Sequence, residues 1–180
     1  DGISEDAFGQ ISSSVGSFGT LRNNLKFSTG LFNVYIEISG RLSRITSDGY
    51  IDRASSELDS YFLQGAFKNE NTLLKAVLFG GHEITYQAWY GIDVATLESD
   101  RTFNPSGIYT DENGNTQFYE NEVDNYKQNH AQLLWNQKIN ETWSTNLALH
   151  YTRGRGFFEQ FKEDDDFGIY GFSSILVDGQ

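Results

Sequence analysis

The sequence contains no cysteine, which excludes disulfides, thiolate metal sites and cysteine nucleophiles together. Methionine is absent too, and the chain opens on the polar DGISED instead of a basic and apolar leader. The expectation is a start that was processed away, or a piece of a longer polypeptide. Long hydrophobic runs are missing. The longest, residues 76–79, is Ala-Val-Leu-Phe, whereas a membrane-spanning helix needs roughly 20 apolar residues. Positive charge is scarce, with 13 Lys and Arg against 25 Asp and Glu and a net charge of −12. No basic stripe is available to neutralise phosphates, so nucleic acid is not an expected partner. Proline occurs once, at Pro105. There is no GxSxG elbow, Walker loop or HExxH pair, so neither an enzyme nor a cofactor is expected.

What the chain does have is aromatic residues, at 15%, and 18 glycines, a combination that fits a β-rich protein better than a disordered one. Strict alternation is the strongest pattern. Leu21, Leu25, Phe27 and Leu31 interleave with Arg22, Asn24, Lys26, Ser28 and Gly30. Val34, Ile36, Ile38 and Leu42 oppose Tyr35, Glu37, Ser39, Arg41 and Ser43. Tyr61, Leu63 and Phe67 oppose Ser60, Phe62, Gln64, Ala66 and Lys68, a weaker contrast. Ala131, Leu133, Trp135 and Ile139 oppose His130, Gln132, Leu134, Asn136 and Lys138. Trp143, Leu147, Leu149 and Tyr151 oppose Ser144, Asn146, Ala148, His150 and Thr152. Each run predicts a strand with one apolar and one polar face. Residues 72–80 are apolar on both faces, which leaves their orientation open.

The connections between these runs alternate in length. Short turns are expected near Phe32-Asn33, at Asn69-Glu70-Asn71 and at Asn140-Glu141-Thr142. Long excursions fall at 46–57, 81–124 and 154–170, so each hairpin has one tight end and the excursions gather on the opposite side. A structureless loop beyond ~15 residues usually carries function. Two architectures explain the alternation. In a soluble sandwich the apolar face is the core; in a membrane barrel it meets lipid while the polar face lines the lumen. The patterned runs exceed the ~5–6 residues of ordinary strands. About thirteen residues at ~3.3 Å each, tilted by about 45°, cover the roughly 30 Å of hydrocarbon. Trp143 and Tyr151 bracket Leu147 and Leu149 as interfacial aromatics do. The expected fold is therefore all-β, an antiparallel transmembrane β-barrel segment.

Several candidate sites stand out. In TDENGNTQFYENE, Asp111, Asn113, Asn115 and Glu122 take positions 1, 3, 5 and 12 of a calcium-loop spacing. Position 6, which needs Gly, is Thr116, and a hairpin turn at Asn113-Gly114 is the better account. His130 and His150 fall on the polar faces of adjacent strands at diagonal positions, roughly 7–8 Å apart. A shared metal there would need a third ligand, and none is evident, so no metal site is assigned. His82 lies in the long excursion without a nucleophile to pair with. The acidic run Glu159 to Asp166 reads as a solvated loop, with cation or basic-ligand gathering as the alternative. The expected ligand-facing element is the aromatic group Tyr86, Trp89 and Tyr90, with Arg101, Phe103 and Tyr109 nearby. The competing reading is a loop that packs on itself to cover the barrel mouth.

The segments GSFGTLRNNLKFSTG (16–30), RLSRITSDGYIDRASS (41–56), LFGGHEITYQAWYG (78–91), RTFNPSG (101–107) and DNYKQNHAQL (124–133) closely resemble the TonB-dependent receptors of Bacteroidetes outer membranes. The resemblance implies a location in the bacterial outer membrane and a place in a barrel of about 22 strands. It implies energised uptake of a scarce small molecule such as an iron chelate (a siderophore complex), haem or cobalamin. Residues 1–180 would then be a partial barrel domain of about seven strands, early in the wall, with short periplasmic turns and long extracellular loops. The plug domain, through which the TonB complex is contacted, and the remaining strands would be absent; the chain closes on ILVDGQ without a terminal strand ending in Phe. Outer-membrane lipid and the transported ligand would be the other partners. A small complete barrel with a structural or adhesive role, and a soluble carbohydrate-binding β-sandwich, are the alternatives.

Overall fold

The computed structural model of the protein describes residues 2–163 and 165–173. In chain order it contains strands β1 (Ala7–Val15), β2 (Leu21–Thr29), β3 (Ile36–Ser47), β4 (Ser56–Lys68) and β5 (Thr72–Tyr86), the short helix α1 (Val94–Ser99), strands β6 (Ile108–Thr110), β7 (Thr116–Phe118), β8 (Val123–Lys138) and β9 (Ser144–Phe158), and a 3-10 turn at Phe167–Tyr170. Seven strands form one sheet in the order β1-β2-β3-β4-β5-β8-β9, while β6 and β7 make a separate hairpin inside the long connection. Every neighbouring pair in the large sheet is antiparallel. The all-β antiparallel expectation therefore stands. Among the described residues the sheet is open, with β1 and β9 as its edges, and does not close into a barrel.

The three tight connections lie where the sequence places them, at 30–35, 69–71 and 139–143. Two are fixed by asparagine side chains folding back on the backbone. Asn69 Oδ1 accepts from the amides of Asn71 (2.9 Å) and Thr72 (2.7 Å), and Asn140 Oδ1 accepts from those of Thr142 and Trp143 (2.9 Å each). At the other end the strict contrast of short and long is not kept, because β1 and β2 are joined by a tight turn at 16–20. The strands also outrun their sequence limits, so the excursions shrink to 48–55 and 87–122. The reason is visible in the register. Beyond the apolar belt the ladder continues through polar pairs, Arg44 opposite Asp59, His82 opposite Lys127 and Lys127 opposite Arg155, where alternation of hydrophobicity no longer marks a strand.

Register also settles which residues share a face. One face carries rows such as Leu25–Leu42–Tyr61 and Phe27–Gly40–Leu63–Leu78–Ala131–Tyr151. On that face Leu133 lies opposite Leu149 and Trp135 opposite Leu147. Residues 72–80 now have an orientation: Leu74, Ala76 and Leu78 join this apolar face, whereas Leu73, Lys75, Val77 and Phe79 point to the other. The opposite face carries Ser28–Ser39–Gln64–Val77–Gln132–His150.

Burial is inverted relative to a soluble sheet. The buried side chains in the body of the sheet are Ser28, Glu37, Gln64, Ala66 and Val77, all on the polar face. They are held by hydrogen bonds. The Glu37 carboxylate, 1% exposed, accepts from Ser28 Oγ at 2.7 Å, Gln64 Nε2 at 3.1 Å and the Ser4 amide at 3.3 Å. The apolar face is open: Leu42 is 54% exposed, Leu78 47%, Leu149 55% and Tyr151 64%. Tyr86, at the far end of β5, is the buried residue that the apolar-face parity does not explain, and it leads to the loops.

Candidate functional site

Connections 48–55 and 87–122 and the segment after β9 meet at one end of the sheet and pack into a cap. Its centre is Arg53, which adopts a left-handed backbone conformation (φ +59°), uncommon for a residue with a side chain. That conformation turns the guanidinium into the neighbouring connection. There Arg53 Nη2 donates to the Asn104 carbonyl and, at 3.4 Å, to the Ser106 carbonyl. The same group lies 3.7 Å from the centre of the Phe118 ring and 5.8 Å from that of Tyr86, two cation–π contacts. Asn104 locks the junction from the other side: its Nδ2 donates to the Asp52 carbonyl at 2.9 Å and the Gln87 carbonyl at 3.0 Å. Asp52 N donates to Thr102 O at 2.8 Å. Asn104 and Ser106 are each 1% exposed and Gln87 2%, so the cap has a polar core. Its backbone carbonyls are paired across connections, while Arg53 Nε and Ser106 Oγ are buried without a hydrogen-bond partner among the described residues.

A second set of contacts ties in the segment after β9. Gln160 Nε2 donates to Gln87 Oε1 at 2.8 Å and to the Tyr90 hydroxyl at 3.1 Å. The Phe161 amide donates to the buried Glu122 carboxylate at 3.0 Å, and the Phe161 ring lies 4.7 Å from that of Tyr109 and 5.6 Å from that of Tyr119. The Tyr119 hydroxyl donates to Glu159, whose carboxylate holds that phenol above its ordinary pKa. The acidic run is thus partly employed in structure. Glu163 accepts from the Thr110 amide at 2.9 Å, and Asp166 accepts from the Gly168 amide at 2.7 Å at the start of the 3-10 turn. Asp164 and the closing ILVDGQ lie outside the described residues.

The six residues singled out by sequence part company here. Tyr86 is 8% exposed, and its hydroxyl donates to the Tyr119 carbonyl at 2.7 Å and the Ser106 carbonyl at 3.3 Å. It is a pillar of the cap. Phe103 and Tyr109 are half-buried in it. Trp89 (60% exposed), Tyr90 (49%) and Arg101 remain open at the surface. The hairpin at Asn113-Gly114 forms as expected. Asp111 accepts from the amides of Asn115 (2.8 Å) and Asn113 (3.0 Å), bonds that hold its carboxyl below the usual carboxylate range, the Asn115 amide foremost. His130 and His150 occupy diagonal positions, since His130 pairs with Thr152 and His150 with Gln132. The His130 ring stacks on Phe79 at 4.4 Å, and its Nδ1 is 2.9 Å from Thr152 Oγ1.

Arg53, Gln87, Asn104 and Ser106 were not legible as site-builders, although each lies in one of the segments 41–56, 78–91 and 101–107 singled out in the sequence. Segments 41–56 and 101–107 prove to be the two that Arg53 and Asn104 clasp together. Arg53→Ala is expected to leave the buried Asn104 carbonyl without a donor, to leave the Ser106 carbonyl with the Tyr86 hydroxyl alone, and to remove the cation–π contacts, loosening the cap by about 3 kcal/mol. Amides of the junction, Asp52 and Gln87 among them, should then exchange with solvent deuterium about 100-fold faster while those of β3 and β4 are unchanged. Unaltered exchange at the junction would mean that Arg53 does not hold it. Comparison of the chain with models of protein families, with curated proteins and with solved structures finds no match.

Proposed function

We propose that this chain is a wall segment of a bacterial outer-membrane β-barrel, of the TonB-dependent receptor kind, that takes up a scarce ligand such as an iron chelate, haem or cobalamin. The observation that carries the reading is the inverted burial. Polar side chains are buried and mutually hydrogen-bonded on one face, while Leu42, Leu63, Leu78, Leu133, Leu147 and Leu149 lie exposed on the other. Water penalises such a face and lipid does not. The strands are long enough: β4 has 13 residues and β8 has 16, against the ~9–11 that a tilted spanning strand needs. A sandwich reading needs a second layer over the apolar face, and the described residues supply none. In the proposed barrel, β1 and β9 pair with further strands, because lipid cannot satisfy an open edge. The tight turns face the periplasm, the cap lies outside the cell, and a plug inside the lumen contacts the TonB complex.

The test is the depth of Trp135, which sits on the apolar face opposite Leu74 and Leu147. When the whole protein that carries this chain is reconstituted in vesicles, acyl-chain-brominated lipid should quench a variant whose sole tryptophan is Trp135, and an aqueous quencher should not. The reverse pattern would sink the membrane reading and return the sheet to a soluble fold.

A further inference from the structure

We propose that Lys127, Arg153 and Arg155 form a binding site for the phosphate of an outer-leaflet lipid headgroup. The inference rests on the membrane reading above and goes beyond it. In the register, Lys127 lies directly opposite Arg155, and Asn129 opposite Arg153. Alternation puts all three cations on the apolar face, immediately past Tyr151, Leu149 and Leu133. They therefore stand where an apolar face ends and an interfacial aromatic marks the border with headgroups.

Like charges directly across an antiparallel pair are destabilising. The sheet holds two such pairs: Lys26 opposite Arg41 on the polar face, where Lys26 lies 5.5 Å from the centre of the Phe8 ring, and Lys127 opposite Arg155 at the end of the apolar face. Arg44, in the same row, shows the ordinary solution: its guanidinium reaches Glu57 at 3.1 Å and Asp59 at 3.9 Å. Lys127, Arg153 and Arg155 make no ion pair with any described residue. A phosphate between them would turn a repulsive pair into charge-assisted hydrogen bonds, for which arginine's fork is suited.

The backbone that presents the arginines is fixed from behind. Gly154 and Gly156 alternate with them and point to the polar face, where a Cβ on either would collide with Tyr126. Glycine at both positions lets that ring lie flat across β9, so the RGRG pattern sets an aromatic clamp on one face and two guanidinium groups on the other. A cleft of about 850 Å³ is lined by Leu25, Leu42 and Tyr61 from the apolar belt and by Arg44, Asp59 and Lys127 from the row above it; Arg153 and Arg155 do not line it. The cleft is apolar below, and above it Arg44 and Asp59 are paired with each other, which leaves Lys127 as the unpaired charge of its upper lining. A phosphorylated lipid matches this order, its chain on the apolar part and its phosphate at Lys127 and the two arginines past it. A free anion would have no use for the apolar part.

The experiment uses the whole protein, reconstituted in neutral phosphatidylcholine vesicles containing either lipid A with its phosphates or the same lipid dephosphorylated. Lipid retained after extraction into neutral detergent is counted by native mass spectrometry. Wild-type protein should retain the phosphorylated form with a preference of roughly tenfold or more, and excess inorganic phosphate should not displace it. K127Q/R153Q/R155Q should bring the preference to unity, R153K/R155K should keep most of it, and K26Q/R41Q on the opposite face should leave it intact. Equal retention of both lipids by inserted wild-type protein, an undiminished preference in the triple glutamine variant, or full displacement by inorganic phosphate would each overturn the proposal alone. Failure of the wild type to insert, read as no heat-modifiable mobility and no flotation with vesicles, would overturn the membrane reading and this site with it. Heat-modifiable mobility of each variant separates lost lipid from lost assembly.

Discussion

Leu149→Arg is expected to destabilise the assembled protein in a bilayer by about 2–4 kcal/mol, and His150→Arg, the next residue along β9, by far less. The two positions differ only in face. Leu149 pairs with Leu133 on the apolar side, and His150 pairs with Gln132 on the polar side. At the depth of Leu149 an arginine must desolvate its charge or drag water and headgroups inward, whereas at His150 it enters a row that already holds Gln64 and Gln132. The pair also discriminates between solvents. Leu149 is 55% exposed, so in a water-soluble sheet Leu149→Arg would fall within the ±0.5 kcal/mol typical of surface changes. Reversible urea unfolding of the whole protein in lipid vesicles measures both variants. Two small penalties would place the apolar face in water, and two large ones would mean that both faces are packed.

The same contrast explains what the sequence could disclose. Face assignment was legible wherever alternation was strong, because a side-chain period of two leaves no other reading for Leu21 to Leu31 or for Trp143 to Tyr151. It was not legible at β1. There Ala7, Ile11 and Val15 are four apart and separated by Gly9 and a serine run, Phe8 falls on the other parity, and the strand is defined by its backbone ladder with β2. It was undecided at 72–80 for a different reason. Val77 and Phe79 are apolar residues on the polar face, Val77 between Gln64 and Gln132 and Phe79 stacked on His130. Only the neighbours reveal that side.

The cap was the least legible part, and the cause is sequence distance. Arg53 bonds to carbonyls 51 and 53 residues away, and Gln160 reaches Gln87 across 73. Such clasps leave no periodic trace. A composition rule that aromatics in a long excursion serve a ligand therefore merges two populations: the inward Tyr86 that builds the cap, and the outward Trp89 and Tyr90 that it displays.

That division reshapes the functional test. Removing the whole excursion 87–122 would also strip Asn104 and Ser106 from Arg53, so lost uptake would not separate contact from collapse. Trp89→Ala/Tyr90→Ala/Arg101→Ala avoids this, because these side chains are exposed and, among the described residues, the one side-chain bond they make into the cap is at Tyr90, an acceptor for Gln160, which keeps its bond to Gln87. Exposed indole and phenol rings offer stacking surface, and the Arg101 guanidinium can take a carboxylate-rich chelate through paired hydrogen bonds. If they capture the ligand, losing all three removes about 2–4 kcal/mol of binding, a weakening of roughly 30- to 1000-fold. Labelled ferric chelate, haem and cobalamin, each offered to whole cells, report capture; heat-modifiable mobility reports assembly. Tyr86→Phe is the matched control: it removes one hydroxyl from the cap interior, so it should speed exchange of cap amides and leave capture at wild-type affinity. Wild-type capture by an assembled triple variant would make the excursion a cover and move ligand recognition to the lumen. Lost capture in Tyr86→Phe alone would assign recognition to the shape of the cap, with the outward rings as bystanders.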